Sequence, residues 1–394
     1  MKTHKQTPIT ILTTLGNMTY KRYALIPKDE VSKSMLFEFN GQKRVVPFDD
    51  YLGLSGLPFK ITPAAMLKIA FWAQNQGSYQ RAEDAIMEAM GIKVNDDTIR
   101  QVANYVGSKV FNADCEKANQ AIAKLESGRL DFAKTKDGIV YIQTDGAALN
   151  TRIKDDANST WRENKLGEVF STEGIRFWND KKGKRQHQIL VKEYISYIGS
   201  AQEFKKHLFV CALRGGYGKF KNTVILSDGA AWIRNMVDEL FPDAQQILDF
   251  YHLCENVNEF AKHIFKMNEV EFKPWAKKTC DALRNSHYQQ VLQELEDLER
   301  KPRGCSVNLY GYITNNIKNI DYAAYEKQGF FIGSGAIESG NKIILQDRLK
   351  RAGMRWNIAT AQAMLSLRTK DESGRWFADV TTPFLHDCLS CSFV

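Results

Sequence analysis

GIVYIQTDGAAL, residues 138–149, and TVILSDGAAWI, residues 223–233, are the two segments that decide the fold class of this chain. Each is an apolar, β-branched run that ends in an aspartate, Asp145 or Asp228, followed by the same Gly-Ala-Ala. Two similar runs, VKEYISYIG and QQILDF, lie in the same region, and helical or loop stretches separate the four. This alternation predicts an α/β core with a sheet that is at least partly parallel.

The aspartates at the ends of these runs are the first candidates for a functional site. Ligand groups converge at the ends of strands in an α/β sheet, and small residues after Asp145 and Asp228 leave room for a close approach to the backbone. The alternative is that each Asp-Gly only begins a turn or caps a helix. QQILDFYHL adds Asp249 and His252, which lie on one face near the same site or form a helix cap with a buried polar partner.

A fourth segment, GSGAIESGNK with QDRLKRAGMRW, covers residues 333–342 and 346–356. It places Glu338 among small residues at the start of a predicted helix, and that helix carries a set of basic and aromatic side chains. These are Lys342, Arg348, Lys350, Arg351, Arg355 and Trp356. A carboxylate beside a basic helix suits a metal-bound phosphodiester, although a basic run taken alone is usually a solvated face.

Three carboxylates suit hard cations such as Mg²⁺ or Mn²⁺, which take oxygen ligands and keep several waters. Two such ions roughly 3.5–4 Å apart can activate an attacking hydroxyl and stabilise the leaving oxygen of a phosphodiester. Without cations, carboxylates that are buried together raise each other's pKa. The pattern therefore favours metal-dependent phosphodiester chemistry over a set of unrelated caps.

Other parts of the chain show different patterns. Residues 1–60 are rich in β-branched and aromatic residues, and Met35–Phe39 is one candidate strand. In residues 61–125, the runs AAMLKIAFWAQNQ, YQRAEDAIMEAM and TIRQVANYVGSKVF predict three helices. They form either a helix-turn-helix reader, with Arg100 and Gln101 on the third helix available to DNA, or a packing domain without a ligand.

Composition sets broad limits. The chain has 394 residues and a net charge of +8, a mild basic excess that is compatible with a polyanionic partner but does not require one. The N-terminal segment has no continuous apolar region of a secretory signal, and the longest apolar runs are too short to cross a bilayer. Seven scattered cysteines do not form a disulfide pattern, so we expect a cytoplasmic protein with reduced thiols and no membrane contact.

Several motifs together resemble a known family. TDGAAL, KLGEVF, SDGAAWI with FPDAQQILDFYHLCENV, and GSGAIESGNK with QDRLKRAGMRW and AMLSLR run in this order from about residue 140 to residue 370. They resemble the DDE transposases of bacterial insertion sequences, ISKra type, and are similar more loosely to ISLre-type and Mutator-like transposases. The longer motifs are specific, whereas a lone Asp-Gly is not.

This resemblance implies an α/β, RNase H-like catalytic core in residues 130–260 and 328–370. An all-helical insertion over 261–327 would interrupt the core, the helix-turn-helix-like region would precede it, and residues 371–394 would form a C-terminal tail.

The resemblance also implies the roles of the acidic residues. Asp145 would lie on the first strand, Asp228 at the end of the fourth and Glu338 on a late helix, and together they would hold two Mg²⁺ or Mn²⁺ ions. Asp249 and His252 match an Asp-x-x-His pair of the Mutator-like group, and we expect them to support the site rather than to bind metal.

The expected partners are double-stranded DNA, both the terminal inverted repeats of the element and target DNA, and further copies of the chain in a homodimer or larger assembly. The enzyme would cleave at the 3′ ends of the element and join them to the target. Two alternatives remain open on the sequence: an RNase H-like nuclease without strand transfer, and a degenerate or domesticated copy that binds DNA but does not cut it.

Overall fold

The computed structural model describes residues 2–3, 6–32, 34, 45–298 and 302–390. The candidate strand Met35–Phe39 lies outside the described residues. The strands, in chain order, are β1 (Lys2–Thr3), β2 (Thr7–Thr13), β3 (Gly16–Arg22), β4 (Leu25–Ile26), β5 (Lys136–Asn150), β6 (Trp161–Ser171), β7 (Ile175–Asn179), β8 (Arg185–Ile189), β9 (Glu193–Ile198), β10 (Phe220–Ser227) and β11 (Gln245–Leu248).

The α-helices are α1 (Pro47–Tyr51), α2 (Pro63–Asn75), α3 (Tyr79–Met90), α4 (Asp96–Glu126), α5 (Ala201–Gly215), α6 (Ala231–Leu240), α7 (Phe250–Ile264), α8 (Glu269–Arg284), α9 (Tyr288–Glu296), α10 (Leu309–Asn315), α11 (Tyr322–Lys327), α12 (Gly335–Asn341), α13 (Asp347–Leu349), α14 (Ile358–Glu372) and α15 (Thr382–Ser390). Short π-helical segments cover Lys342–Gln346 and Trp376–Thr381.

The chain forms two compact units. The first comprises Met1–Glu116, Leu149–Arg162 and Ile343–Val394, and the second comprises Lys117–Ala148 and Glu163–Lys342. No helix among the described residues is both long enough and apolar enough to cross a membrane.

The second unit is built on a five-stranded mixed sheet with the order β11-β10-β5-β6-β9. Strand β10 runs parallel to both β5 and β11, whereas β9 is antiparallel to β6. The predicted α/β class and the partly parallel sheet are therefore confirmed. Leu226 pairs with Gln143 in the register of β10 and β5. Asp228 and Asp145, each two residues further along, therefore reach the same end of the sheet.

Both faces of this sheet are buried, which is why β5 and β10 carry continuous apolar runs. Val140, Ile142 and Ile225 pack with residues of α5 and α6 in one cluster. Their neighbours Tyr141 and Leu226 point to the opposite face and pack with the helices that follow β11. The region after β11 is almost entirely helical, as its pattern predicts.

The first unit contains the β2–β3 hairpin, the three helices predicted in residues 61–125, and the C-terminal helices. Ser78 caps α3 by accepting a hydrogen bond from the Arg81 amide, and Gly91 ends the helix in the left-handed conformation. Helix α4 continues to Glu126, beyond the run that the sequence pattern indicates. Close packing against α14 explains Gly107, because a Cβ there would lie 2.4 Å from the Ala363 carbonyl oxygen.

The C-terminal residues are more regular than expected. The tail predicted over 371–394 contains the π-helical segment and α15, and Val380, Phe384 and Cys388 are buried. Lys370, almost fully buried, lies 2.8 Å from Asp114 and 3.6 Å from Asp379. A buried lysine needs such partners, because an unpaired charge in the interior is costly.

Candidate functional site

Asp145 and Asp228 lie at one end of the sheet in the second unit. Asp145 is within β5, and Asp228 follows directly after β10 and accepts a hydrogen bond of 2.9 Å from the Ala230 amide. Gly229 makes this turn with φ +81°, and a Cβ there would lie 2.7 Å from the Leu248 side chain. Because the position needs both a positive φ and a missing side chain, glycine fixes the direction in which Asp228 leaves the sheet.

Alternate side chains of β5 hold the segment that carries Glu338. The Tyr141 hydroxyl accepts a hydrogen bond from the Phe331 amide (3.3 Å), and Oε1 of Gln143 accepts one from the Ile337 amide (3.0 Å). Asp145 Oδ2 accepts a third from Nδ2 of Asn341 (2.5 Å). Side chains at every second position share one face of a strand. We call these three residues the β5 ladder.

Glu338 is an exposed residue of α12, the short helix that the β5 ladder holds. The helix lies close to the sheet at Gly340, where a Cβ would meet Glu168 Oε2 at 2.8 Å and Tyr194 Cε1 at 3.0 Å. Glu168 is fully buried and pairs with Lys192 at 2.8 Å. The missing side chain at Gly340 thus allows the approach of α12 to β6 and β9.

Asp145 is close enough to Asp228 and to Glu338 to interact electrostatically with each. Burial raises the pKa of Asp145, and the charges of Asp228 and Glu338 raise it further. The Gly146 amide and His252 oppose this rise by stabilising the ionised carboxylate. Asp228 and Glu338 are therefore both within electrostatic range of Asp145, and we call these three residues the acidic cluster.

Asp249 is a fully buried helix cap beside the acidic cluster. Its Oδ1 accepts hydrogen bonds from the amides of Tyr251 (2.6 Å) and His252 (3.0 Å) at the start of α7. Its Oδ2 accepts one from the Ser334 amide (2.7 Å), directly before α12. Although burial opposes ionisation of the Asp249 carboxyl, these hydrogen bonds and His252 hold the pKa of Asp249 below its usual value. Asp249 therefore joins α7 to α12.

His252 carries a positive charge at neutral pH. Its Nδ1 lies 3.6 Å from Asp249 Oδ2, and Asp249, together with Glu255 and Asp145, raises the pKa of His252 to about 9. A protonated imidazole cannot coordinate a metal. The supporting role that the resemblance implies for Asp249 and His252 stays a prediction.

The donor chemistry of the acidic cluster fits a hard cation. Asp145, Asp228 and Glu338 supply carboxylate oxygens, the ligands that Mg²⁺ and Mn²⁺ prefer. The Asn341 Oδ1 atom is buried and has no hydrogen-bond partner in the described part of the chain. In the described residues, however, no three His, Cys, Asp or Glu side chains converge closely enough to share one metal.

A cleft of about 530 Å³ opens beside the β5 ladder in the same unit. Gln143, Gly335 and Ala336 line it on the side of the ladder. Lys192 and Arg284 also line it, and each is paired with a carboxylate, Glu168 and Glu326 respectively. The cleft is large enough for part of a polymer or for a small molecule.

The residues predicted to contact DNA occupy different environments. Arg100 and Gln101 lie near the exposed start of α4, where both donate hydrogen bonds to Asp97. Lys342, Lys350, Arg351 and Arg355 are exposed. Arg348 and Trp356, by contrast, are buried with 1% and 7% relative exposure.

The basic helix expected over 342–355 is not continuous. It is π-helical over Lys342–Gln346, and α13 ends at Leu349. Arg348 and Trp356 therefore do not share one exposed helical face with the other basic residues.

Sequence reasoning missed residues that position the acidic cluster. Asn341 lies three residues after Glu338, and Gln143 lies two residues before Asp145. A helical spacing of three and a strand spacing of two would each have indicated a shared face. Tyr312, whose hydroxyl donates to the Asp228 carbonyl at 2.7 Å, has no comparable signal, because it lies 84 residues away in the chain.

The fold and the site define an α/β protein whose mixed sheet carries an acidic cluster where β10 ends beside β5; β5 itself continues past Asp145 to Asn150, so the expectation that Asp145 ends its strand is wrong. The chain belongs to UPF0236, an uncharacterised protein family, whose model matches residues 2–382. A comparison with curated proteins finds no match.

Proposed function

We propose that this protein is a DDE transposase of a bacterial insertion sequence, which binds the ends of its element and catalyses DNA cleavage and strand transfer. The observation that carries the proposal is that Asp228 and Glu338 both lie within electrostatic range of Asp145. Three separate sequence motifs contribute these residues, and unrelated turns or caps would have no reason to lie near one another.

The positions of the carboxylates in the sheet support an RNase H-like core. Among the five strands of the sheet in chain order, β5 is the first and β10 is the fourth. Asp145 lies on the first, Asp228 follows the fourth and Glu338 lies on a later helix. These are the positions that the resemblance to DDE transposases implies.

Asp145, Asp228 and Glu338 would hold two Mg²⁺ or Mn²⁺ ions. Such ions supply activation of the attacking hydroxyl and stabilisation of the leaving oxygen. The protein's own contribution is positioning: Asn341 and the Gly146 amide orient the two oxygens of Asp145, and Asp249 fixes the start of α12 through Ser334. The positive charge of His252 lies beside a site that would accept a polyanion.

DNA binding would draw on exposed basic residues. Lys342, Lys350, Arg351 and Arg355 are available to phosphates, as are Arg100 and Gln101 at the start of α4. Phosphate contacts supply most of the affinity of such proteins and make it depend strongly on salt. The resemblance also implies a dimer or larger assembly on paired ends.

A cleavage assay tests this proposal. Duplex DNA that carries the sequence flanking the gene of this chain is incubated with the full chain and Mg²⁺, and the products are resolved by strand. We expect nicks with free 3′-hydroxyls and joined products, which Asp228→Asn and EDTA both abolish. Asp131→Asn is the control, because Asp131 is an exposed carboxylate outside the acidic cluster.

The other outcomes of this cleavage assay would each contradict a different part of the proposal. Metal-dependent nicks without joined products would indicate a nuclease and contradict strand transfer. Salt-sensitive DNA binding without any cleavage would contradict the enzyme and favour a degenerate copy. Cleavage that survives Asp228→Asn would remove the acidic cluster from the reaction.

A further inference from the structure

The first unit contains a cavity of about 350 Å³ with an unusual concentration of arginine. This volume lies in the range of small-ligand sites, roughly 300–1,000 Å³. None of the described residues that line the cavity is acidic. The charged and aromatic side chains in its wall are Tyr79, Arg100, Arg152, Arg348, Arg355 and Trp356.

Arg348 is the buried centre of this cavity. Its guanidinium lies 4.6 Å from the ring centre of Tyr79 and 5.2 Å from that of Trp356. Nε donates a hydrogen bond of 3.0 Å to the Ala73 carbonyl, whereas Nη2 is buried without a hydrogen-bond partner in the described part of the chain. The buried hydroxyl of Tyr79 lies close to this guanidinium and favours its charged form. The Nη2 donor thus remains without a well-aligned partner in the side chain that lines the cavity.

No carboxylate of the described residues is among the groups that act on the charge of Arg348. Burial, together with the neighbouring charges of Arg368 and Arg351, lowers the pKa of Arg348 to about 10. Among the groups that shift this pKa, Tyr79 is the one that raises it. The side chain still carries its charge at neutral pH, and a buried cation without a counterion is costly.

The rim of the cavity adds further positive charge. Arg152 donates a hydrogen bond to the Arg355 carbonyl, and both side chains are exposed. Arg100 also lines the cavity, but it pairs with Asp97 at 2.6 Å. Both partners of that pair are about half exposed, so solvent weakens it and an anion can compete for Arg100.

We propose that this cavity binds a phosphate group, which the backbone of a nucleic acid supplies. Guanidinium groups match the oxygens of a phosphate in pairs, and a phosphate would satisfy Nη2 of Arg348 and balance its charge. The choice of a nucleic acid as the source rests on the proposed function, whereas the phosphate chemistry does not. A bare inorganic phosphate or a mononucleotide would offer the same group.

The test measures duplex DNA binding by fluorescence anisotropy over a range of salt concentrations. Arg348→Met removes the charge and keeps most of the apolar stem. We expect about tenfold weaker binding and a slope of log K against log salt that is smaller by roughly one phosphate contact. Arg81→Gln is the control, because Arg81 is an exposed arginine of the same unit that does not line the cavity, and it should change affinity less than twofold.

A double variant provides the test if Arg348→Met fails to fold. Thermal unfolding and tryptophan fluorescence report whether the variant keeps the native packing around Trp356. If it does not, the double variant Arg152→Gln/Arg355→Gln decides, because these exposed side chains can be changed without opening the core. It should weaken DNA binding in the same direction.

Titration with inorganic phosphate, with chloride at matched ionic strength as the control, separates the two sources of the group. A phosphate-specific rise in the melting temperature of the wild type that the variants lack would show that the cavity takes a phosphate. If DNA binding is unchanged in these variants, that rise assigns the cavity to a free phosphate ester.

If the variants change neither DNA binding nor phosphate binding, Arg348 only stabilises the fold and the proposal is overturned. Such a failure would leave the catalytic proposal intact, provided that cleavage still depends on Asp228.

Discussion

Asn341 donates a hydrogen bond from Nδ2 to Oδ2 of Asp145 over 2.5 Å, although 196 positions separate the two residues in the chain. Asn341 belongs to the same short helix as Glu338, so this hydrogen bond links two of the three carboxylate-bearing segments directly. The other amide atom, Oδ1, is buried and has no hydrogen-bond partner in the described part of the chain. Asn341 can therefore orient Asp145 with one atom and offer an oxygen to a cation with the other.

The first prediction concerns Asn341→Ala. Loss of a group that orients a metal ligand typically costs 10- to 100-fold in metal affinity or activity. We expect cleavage to slow by about this factor at low Mg²⁺ and to recover partly at high Mg²⁺, while DNA binding stays unchanged. A Mg²⁺ titration of the cleavage rate measures this, with Ser339→Ala on the same helix as the control. A purely structural role would lower stability without changing the dependence on Mg²⁺.

The second prediction compares two glycines of α12. Gly340→Ala would place a Cβ 2.8 Å from the buried Glu168 carboxylate, whereas a Cβ at Gly335 meets nothing within 4 Å. We expect Gly340→Ala to lower the free energy of unfolding by about 1–3 kcal/mol and to reduce cleavage, because it moves Glu338 away from the sheet. Gly335→Ala should leave stability unchanged or raise it slightly. Thermal unfolding of both variants checks this, and equal effects would contradict the packing of α12.

The third prediction concerns pH. The pKa of His252 is raised from 6.5 to about 9 in the folded protein, chiefly by Asp249. Since a raised pKa stabilises the protonated folded state, this contribution is complete below about pH 6.5 and disappears as the pH rises towards 9. Metal-free wild type should therefore lose stability over this range relative to His252→Gln. Melting temperatures of both proteins from pH 6 to 9 measure the difference, and parallel curves would exclude the charge pair.

The sequence predicts the strands that carry the aspartates but not the whole sheet. The apolar, β-branched pattern was sufficient to predict four of its strands, β5, β9, β10 and β11. β6 was not predicted, because it buries Asn164, Lys165 and Glu168 rather than a continuous apolar series. Each of these polar residues has a partner from elsewhere, such as Ser196 for Asn164 and Lys192 for Glu168. Only the tertiary structure supplies such partners.

The candidate site was predictable in part for a similar reason. Asp145, Asp228 and Glu338 follow local patterns, since each ends a strand run or opens a helical run among small residues. The spacing of three places Asn341 on the helical face of Glu338, but no local pattern reveals its hydrogen bond to Asp145, which lies 196 positions away in the chain. Arg348 shows the opposite error, because a basic run indicates a solvated face while the structure buries this residue between two aromatic rings.

The last prediction tests the acidic cluster without any knowledge of its DNA. Asp228 and Glu338 both raise the pKa of Asp145, so the charge of each repels that of Asp145 in the metal-free protein. Asp228→Asn relieves part of this repulsion, and we expect a melting temperature equal to or above that of the wild type in EDTA. Added Mg²⁺ should raise the melting temperature of the wild type, because a ligand that binds only the folded state stabilises it. The variant should lose most of this rise, whereas Asp131→Asn should keep it. A rise of equal size in wild type and Asp228→Asn would place the bound metal elsewhere, and the catalytic proposal would then lose its physical basis.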